Sequence, residues 1–261
     1  MAYYSSKELV SRATEAAVLR DSTSVKSTLL LAFLAGAYIA LGGLLALTVG
    51  GGMPGIAAEN PGLQKFMMGA LFPLGLILCV IAGADLFTGN TAYFIPPLVS
   101  GRISFLRLLR NWSLVYFGNF LGALFVAYFL AYKTGLLASA PWHDVALGLA
   151  KSKTSAGFFT IFVKGIGANW LVALAVWLAF AAQDVSSKIL AVWFPVMAFV
   201  AMGFEHSVAN MFFIPTAMLY GSDVSIGTFI FNNLIPATLG NIVGGSILTA
   251  LIYTKVYGEK N

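Results

Sequence analysis

Two apolar runs in this chain are too long for any bilayer they would cross. Residues 66–99 and 189–221 each exceed 30 residues. As straight helices they would extend roughly 50 Å at 1.5 Å per residue, against a hydrocarbon core about 30 Å thick. Each carries one acid near its middle, Asp85 or Glu205, followed by small and polar residues. A broken helix resolves both misfits. Irregular backbone at membrane depth persists only where protein or a water-filled cavity satisfies it, so breaks are expected at residues 86–90 and 205–210, with a transport pathway between them.

Apolar runs at 27–50, 107–132, 156–182 and 228–254 complete six spans. The chain is 59% hydrophobic before glycine is counted and only 10% charged; soluble domains reach about 45–50% apolar with glycine included and about 25% charged. A soluble fold is therefore excluded. The lone Cys79 excludes a disulfide framework and any multi-cysteine metal site, and neither a cofactor nor a metal is expected. The charged N-terminal stretch lacks the apolar core of a signal peptide. Leu9, Val10, Ala13, Ala16 and Ala17 recur there at helical spacing, so residues 1–26 read as a cytoplasmic amphipathic helix on the membrane surface. Residues 27–254 form the six-span domain and 255–261 a cytoplasmic tail. With the N-terminus inside, the cytoplasmic segments hold Lys7, Arg12, Arg20, Lys26, Arg102, Arg107, Arg110, Lys188, Lys255 and Lys260. The other side holds Lys65, Lys133, Lys151 and Lys153. That asymmetry places both termini in the cytoplasm of a cell-membrane protein, and it accounts for the net charge of +5 without nucleic acid.

The halves repeat. Phe72-Pro73 is echoed by Phe194-Pro195, Asp85-Leu-Phe-Thr-Gly-Asn90 by Glu205-His-Ser-Val-Ala-Asn210, and Phe94-Ile-Pro96 by Phe213-Ile-Pro215. Asn111, Gly118, Asn119 and Gly122 have the spacing of Asn233, Gly240, Asn241 and Gly244. With three spans per half, the second copy enters from the opposite side, an inverted repeat.

Within the spans, His206 is the one histidine; His143 falls in a polar loop. An ionisable group at membrane depth marks a functional site, and His206 stands beside Glu205 and four residues before Asn210. Asn169, near the middle of the fourth span, is placed to orient its ring. Thr88 puts a hydroxyl in the first break. The half-helices after each break should offer free N–H groups and a positive dipole end, a setting for a small monovalent anion. Asp85 and Glu205 are expected to accept hydrogen bonds from the amides of the breaks and stay out of the path. Lys164 is expected to snorkel to the outer interface or draw anions into the outer mouth, and Lys151 and Lys153 to do likewise or to be solvated loop charges.

Ala84-Asp-Leu-Phe-Thr-Gly-Asn-Thr91, Asn169-Trp-Leu-Val-Ala-Leu-Ala-Val-Trp177, Gly203-Phe-Glu-His-Ser-Val-Ala-Asn-Met211 and Asn233-Leu-Ile-Pro-Ala-Thr-Leu-Gly-Asn241 resemble the formate/nitrite transporter family across the whole chain. The resemblance implies an aquaporin-like, all-α fold, a homopentamer with one pore per protomer, and passage of formate, nitrite or hydrosulfide rather than an enzymatic reaction. It implies Thr88 and His206 as the central polar pair with Asn169 nearby, Leu76, Phe87 and Val172 as the inner constriction, and Phe72 and Phe199 as the outer one. Formate is the first expectation. Two modes are open: His206 passes a proton so that neutral acid crosses, or it only donates a hydrogen bond to a bare anion. An aquaglyceroporin shares the broken-helix logic but carries paired Asn-Pro-Ala motifs; here Asn90 precedes Thr-Ala and Asn210 precedes Met-Phe.

Overall fold

A computed structural model describes residues 3–258; Lys260, with the rest of 259–261, lies outside the described residues. Among those described, every named element is helical, and the one β contact is a single bridge between Tyr3 and Ala182. Five of the described helices are long and apolar enough to cross a membrane. They are span 1 (Val25–Gly50), half-span 2a (Pro61–Ala82), span 3 (Phe105–Tyr132), span 4 (Phe158–Ala181) and span 6 (Ile226–Tyr257). The remaining crossing is made of two shorter helices, 5a (Val185–Ala201) and 5b (Ser207–Leu219), and half-span 2b (Phe87–Tyr93) completes the second.

Local chemistry sets the helix starts. Ser24 accepts the Ser27 N–H at 3.2 Å before span 1, and Asn60 accepts the Leu63 N–H at 3.0 Å before 2a, where Pro61 occupies the first position. Asp184 does the same for 5a through Ser187 at 2.9 Å. These caps satisfy amides that a helix start otherwise leaves unpaired.

The breaks fall earlier than the sequence suggests. Half-span 2a stops at Ala82 because Gly83 turns left-handed, with φ at 80°, and 5a stops at Ala201 just before Gly203, with φ at 72°. A left-handed residue ends the hydrogen-bond ladder at low cost only when it is glycine. Non-helical chain therefore covers residues 83–86 and 202–206, and Thr88, Asn90 and Asn210 lie inside the second half-helices rather than in the gaps.

The two halves match as the repeat requires. Span 1 packs chiefly on span 3, and span 4 on span 6. A Cβ on Gly122 would collide with the Phe33 carbonyl, and one on Gly244 with the Ile166 carbonyl, the corresponding contact. Only glycine lets these backbones approach so closely.

An amphipathic helix precedes each half. Ser6–Ser22 buries Leu9, Ala13 and Ala17 against Tyr93, Phe94, Leu108 and Trp177, and Asp21 accepts Arg107 at 3.0 Å. The Ser5 hydroxyl and amide both donate to Glu8 at 2.7 Å, which holds that carboxyl below the usual carboxylate range. Before span 4 stands Trp142–Ser155, a helix where a polar loop was expected, so His143 and Lys153 are helical residues. Its apolar face carries Ala146 and Ala150, both buried, at the i, i+4 spacing of one helix side. That pattern was present in the sequence but short.

Replacing Gly203 with alanine should cost about 1–2 kcal/mol, because the left-handed backbone is retained under a Cβ. Gly148, exposed in the middle of Trp142–Ser155 with open space around it, should gain up to about 1 kcal/mol from the same change. Thermal midpoints of the purified detergent-solubilised protein compare the two.

Candidate functional site

Each break is stitched by one asparagine. Asn119 accepts the Phe87 N–H at 2.9 Å and donates to the carbonyls of Ala32 at 2.7 Å and Asp85 at 3.0 Å. Asn241 accepts the Ser207 N–H at 2.8 Å and donates to Gly165 and Glu205, each at 2.8 Å. Span 1 and span 4 complete the stitch: the Asp85 N–H reaches the Leu31 carbonyl at 3.2 Å, and the Glu205 N–H the Lys164 carbonyl at 3.4 Å. The first amide of each second half-helix is thus already taken by protein, not free for an anion as expected. In a medium without water, a side-chain amide is the compact group able to satisfy donor and acceptors together.

The two acids also have partners other than those expected. Asp85 receives Arg20 of the N-terminal helix at 3.0 Å. Glu205 receives Lys153 at 3.1 Å, Asn210 at 2.7 Å and Asn233 at 3.1 Å. Both carboxylates are buried, and both cations come from the amphipathic helices that precede each half. Lys153 is therefore an ion-pair partner and not a solvated loop charge. Lys151 is exposed, and Lys164 is half-buried with its carbonyl in the stitch. Asn90 and Asn210 are twins, donating to Asn111 and Asn233 at 2.7 Å in each case.

Symmetry fails at the centre. The caps of 2b and 5b occupy matching positions, but one is Leu86 and the other His206. His206 Nδ1 accepts the Ala209 N–H at 3.1 Å. That bond requires an unprotonated Nδ1, so the neutral ring carries its proton on Nε2. Nε2 lies 2.9 Å from Thr88 Oγ1 and donates to it, leaving the hydroxyl proton of Thr88 free to donate elsewhere. Asn169 does not orient the ring. Its amide donates to Thr91 Oγ1 at 2.8 Å and to the Asn241 carbonyl.

The imidazole faces an apolar chamber lined by Phe72, Leu76, Leu86, Val172 and Phe199, together with Ile39 and Val196, and too narrow for a water-sized sphere, with fully buried Thr88 behind it. The Phe199 ring lies 5.7 Å from the imidazole and meets Phe72 edge-on at 5.9 Å. Phe87 turns away, packing on Tyr116 at 4.8 Å and Trp112 at 6.1 Å, and Leu86 takes the place expected of it. Leu76 and Leu86 also border a wider vestibule of about 130 Å³, which carries Arg20 and Lys188. The lining residues missed from sequence, Leu86, Ile39 and Val196, were findable: they are the repeat partners of His206, Val172 and Leu76.

A family model described as formate/nitrite transporter matches residues 7–255. A probable formate transporter of Methanothermobacter thermautotrophicus is 49% identical over 255 residues, covering 92% of both chains. The formate channel FocA of Escherichia coli strain K12 is 36% identical, covering 95% of this chain and 93% of its own. Among solved structures, an FNT family ion channel superimposes with a TM-score of 0.86 at 30% identity, covering 96% of this chain and 98% of that one. A pentameric formate channel with formate bound gives 0.80 at 35% identity, covering 90% and 98%.

Substituting Lys153 with methionine leaves the Glu205 carboxylate buried without its cation, which should destabilise the protein by about 3–5 kcal/mol. The double variant with Glu205→Gln should recover most of the loss, since the two changes act on one interaction. Unfolding midpoints of the single and double variants read this out.

Proposed function

The chain belongs to the formate/nitrite transporter family, and from that premise we propose that its chamber passes formate through one pore per protomer. It is a multi-pass membrane protein whose activity is transport rather than turnover. Relatives named for formate favour that substrate over nitrite or hydrosulfide, and the family match removes the aquaglyceroporin reading.

One observation carries the mechanism: beside a chamber whose apolar walls exclude water, His206 Nε2–H donates to Thr88 Oγ1 at 2.9 Å and leaves the Thr88 hydroxyl proton to donate. Formate entering between them replaces that bond and accepts from both groups. On the vestibule side, Arg20 and Lys188 raise the local anion concentration. Leu76, Leu86 and Val172 then close one end, and Phe72 with Phe199 the other. Stripping a carboxylate of water without pairing costs tens of kcal/mol in the limit. Protonating a carboxylate of pKa about 3.9 at pH 7 costs roughly 4 kcal/mol. Crossing the closures as the neutral acid is the cheaper course.

The ring cannot both cap 5b through Nδ1 and act as an imidazolium. The capping bond therefore supports hydrogen-bond donation by His206, with the proton entering alongside formate, over relay through the ring. Asn210, Glu205 and Lys164 serve by holding the second break, and Asn169 by bracing the span that faces it.

Orientation and assembly complete the reading. Lys7, Arg20, Arg102, Arg107 and Lys188 gather at the end that carries the N-terminal helix, which supports cytoplasmic termini by the positive-inside rule. The similar solved channel is titled pentameric, and Phe105, Leu106, Phe117 and Phe231 stand exposed on spans 3 and 6, an apolar surface suited to lipid and neighbouring copies.

In proteoliposomes at fixed total formate, flux should rise about ten-fold for each pH unit lowered above the acid's own pKa. His206→Asn, which still carries a donor, should reduce flux while keeping that slope; a slope lost in this variant would show that the ring relays the proton. Native mass spectrometry should return five copies of the 27.7 kDa chain, and a monomer would refute the assembly.

A further inference from the structure

Internal symmetry separates what this fold requires from what has been added to it. The asparagine stitches, the acid–cation pairs and the Asn90 and Asn210 bonds all occur twice. A cluster around Thr91 occurs once. Thr91 is fully buried on 2b, one turn beyond Thr88. Its hydroxyl accepts from Asn169 Nδ2 at 2.8 Å and donates to the Thr88 carbonyl at 2.7 Å, and its own carbonyl accepts from the Ser246 hydroxyl at 2.7 Å. A hydroxyl has one proton, and here it is used once. The repeat partners of Thr91, Asn169 and Ser246 are Met211, Gly36 and Leu124, so none of these bonds has a twin.

The neighbouring helix is shaped around the cluster. Span 6 is π-helical over Gly244–Leu251, as span 3 is over Val126–Tyr132, but only in span 6 does a glycine there meet the cluster: a Cβ on Gly245 would collide with the Thr91 hydroxyl and come within 2.6 Å of Asn169 Nδ2. None of these bonds is needed to start 2b, which Asn119 already caps at Phe87.

Resting on the reading that Thr88 holds formate, we infer that Thr91 is a positioning residue for transport. Braced by Asn169 and Ser246, it locks the first turn of 2b and thereby keeps the Thr88 hydroxyl where substrate and His206 meet. A reacting or binding group displaced by about 1 Å can cost about 10²-fold in rate, and Thr91 is the direct tie on that turn.

The test uses the full chain in proteoliposomes, with formate flux normalised per assembled channel and measured across concentration and pH. Thr91→Val, which keeps the side-chain shape, should lower maximal flux about ten-fold and change the pH profile in the same sense as Thr88→Val. Thr91→Ser should restore most of it. In a Thr88→Val background, Thr91→Val should change flux no further, because both act through one group. Wild-type flux in Thr91→Val beside a defective Thr88→Val, or losses that multiply in the double variant, overturns the positioning role. Wild-type flux in Thr88→Val instead overturns the reading of the site on which it rests. Should Thr91→Val fail to assemble, Ser246→Ala, which removes the other tie, takes its place in the same cycle with the same expected and overturning outcomes.

Discussion

A helix broken inside a membrane leaves amides and carbonyls with no water to receive them, and this chain meets that cost twice. Asn119 and Asn241 each bind three backbone groups across a break. Each amide can reach only because spans 1 and 3, and 4 and 6, approach closely at Gly122 and Gly244. The left-handed Gly83 and Gly203 end the first half-helices early enough for the acids to sit in the crossing. Once the crossing is held, Leu86 and His206 become the caps that face one another across the chamber.

The surrounding charges follow from the same geometry. An acid at each break needs a cation, and Lys164, whose carbonyl meets the Glu205 amide, is not the one that pairs with it. Arg20 and Lys153 arrive instead from amphipathic helices that lie across the two ends of the bundle. Such pairs contribute little net stability, since desolvation offsets most of their attraction, but losing one partner is costly. They tie each amphipathic helix to the break beneath it, so the N-terminal helix is part of the vestibule wall through Arg20.

Much of this was legible beforehand. The excess length of two apolar runs located the breaks to within a few residues, and the ordered motif matches gave the inverted repeat. The error in the break positions came from weighting the acid and the polar residues after it over Gly83 and Gly203, whose backbone role no composition reveals. The helix Trp142–Ser155 was missed because the side chains it buries fully, Ala146, Ala150 and Thr154, are small. Phe87 was assigned to the constriction on resemblance alone; its ring instead finds Tyr116 and Trp112, partners on another span.

By itself, the sequence determined the class of the molecule. Apolar length against bilayer thickness forces six crossings with two interruptions, and the matched motifs make the halves inverted copies, because these are properties of local composition and order. Only the tertiary structure decided which residue meets which. Thr88 and His206 lie 118 positions apart yet touch, Nδ1 is consumed by a cap, and Asn169 braces Thr91 instead of the ring. Those outcomes depend on the rotation and depth of packed helices, which side-chain volume across spans sets and no single segment encodes.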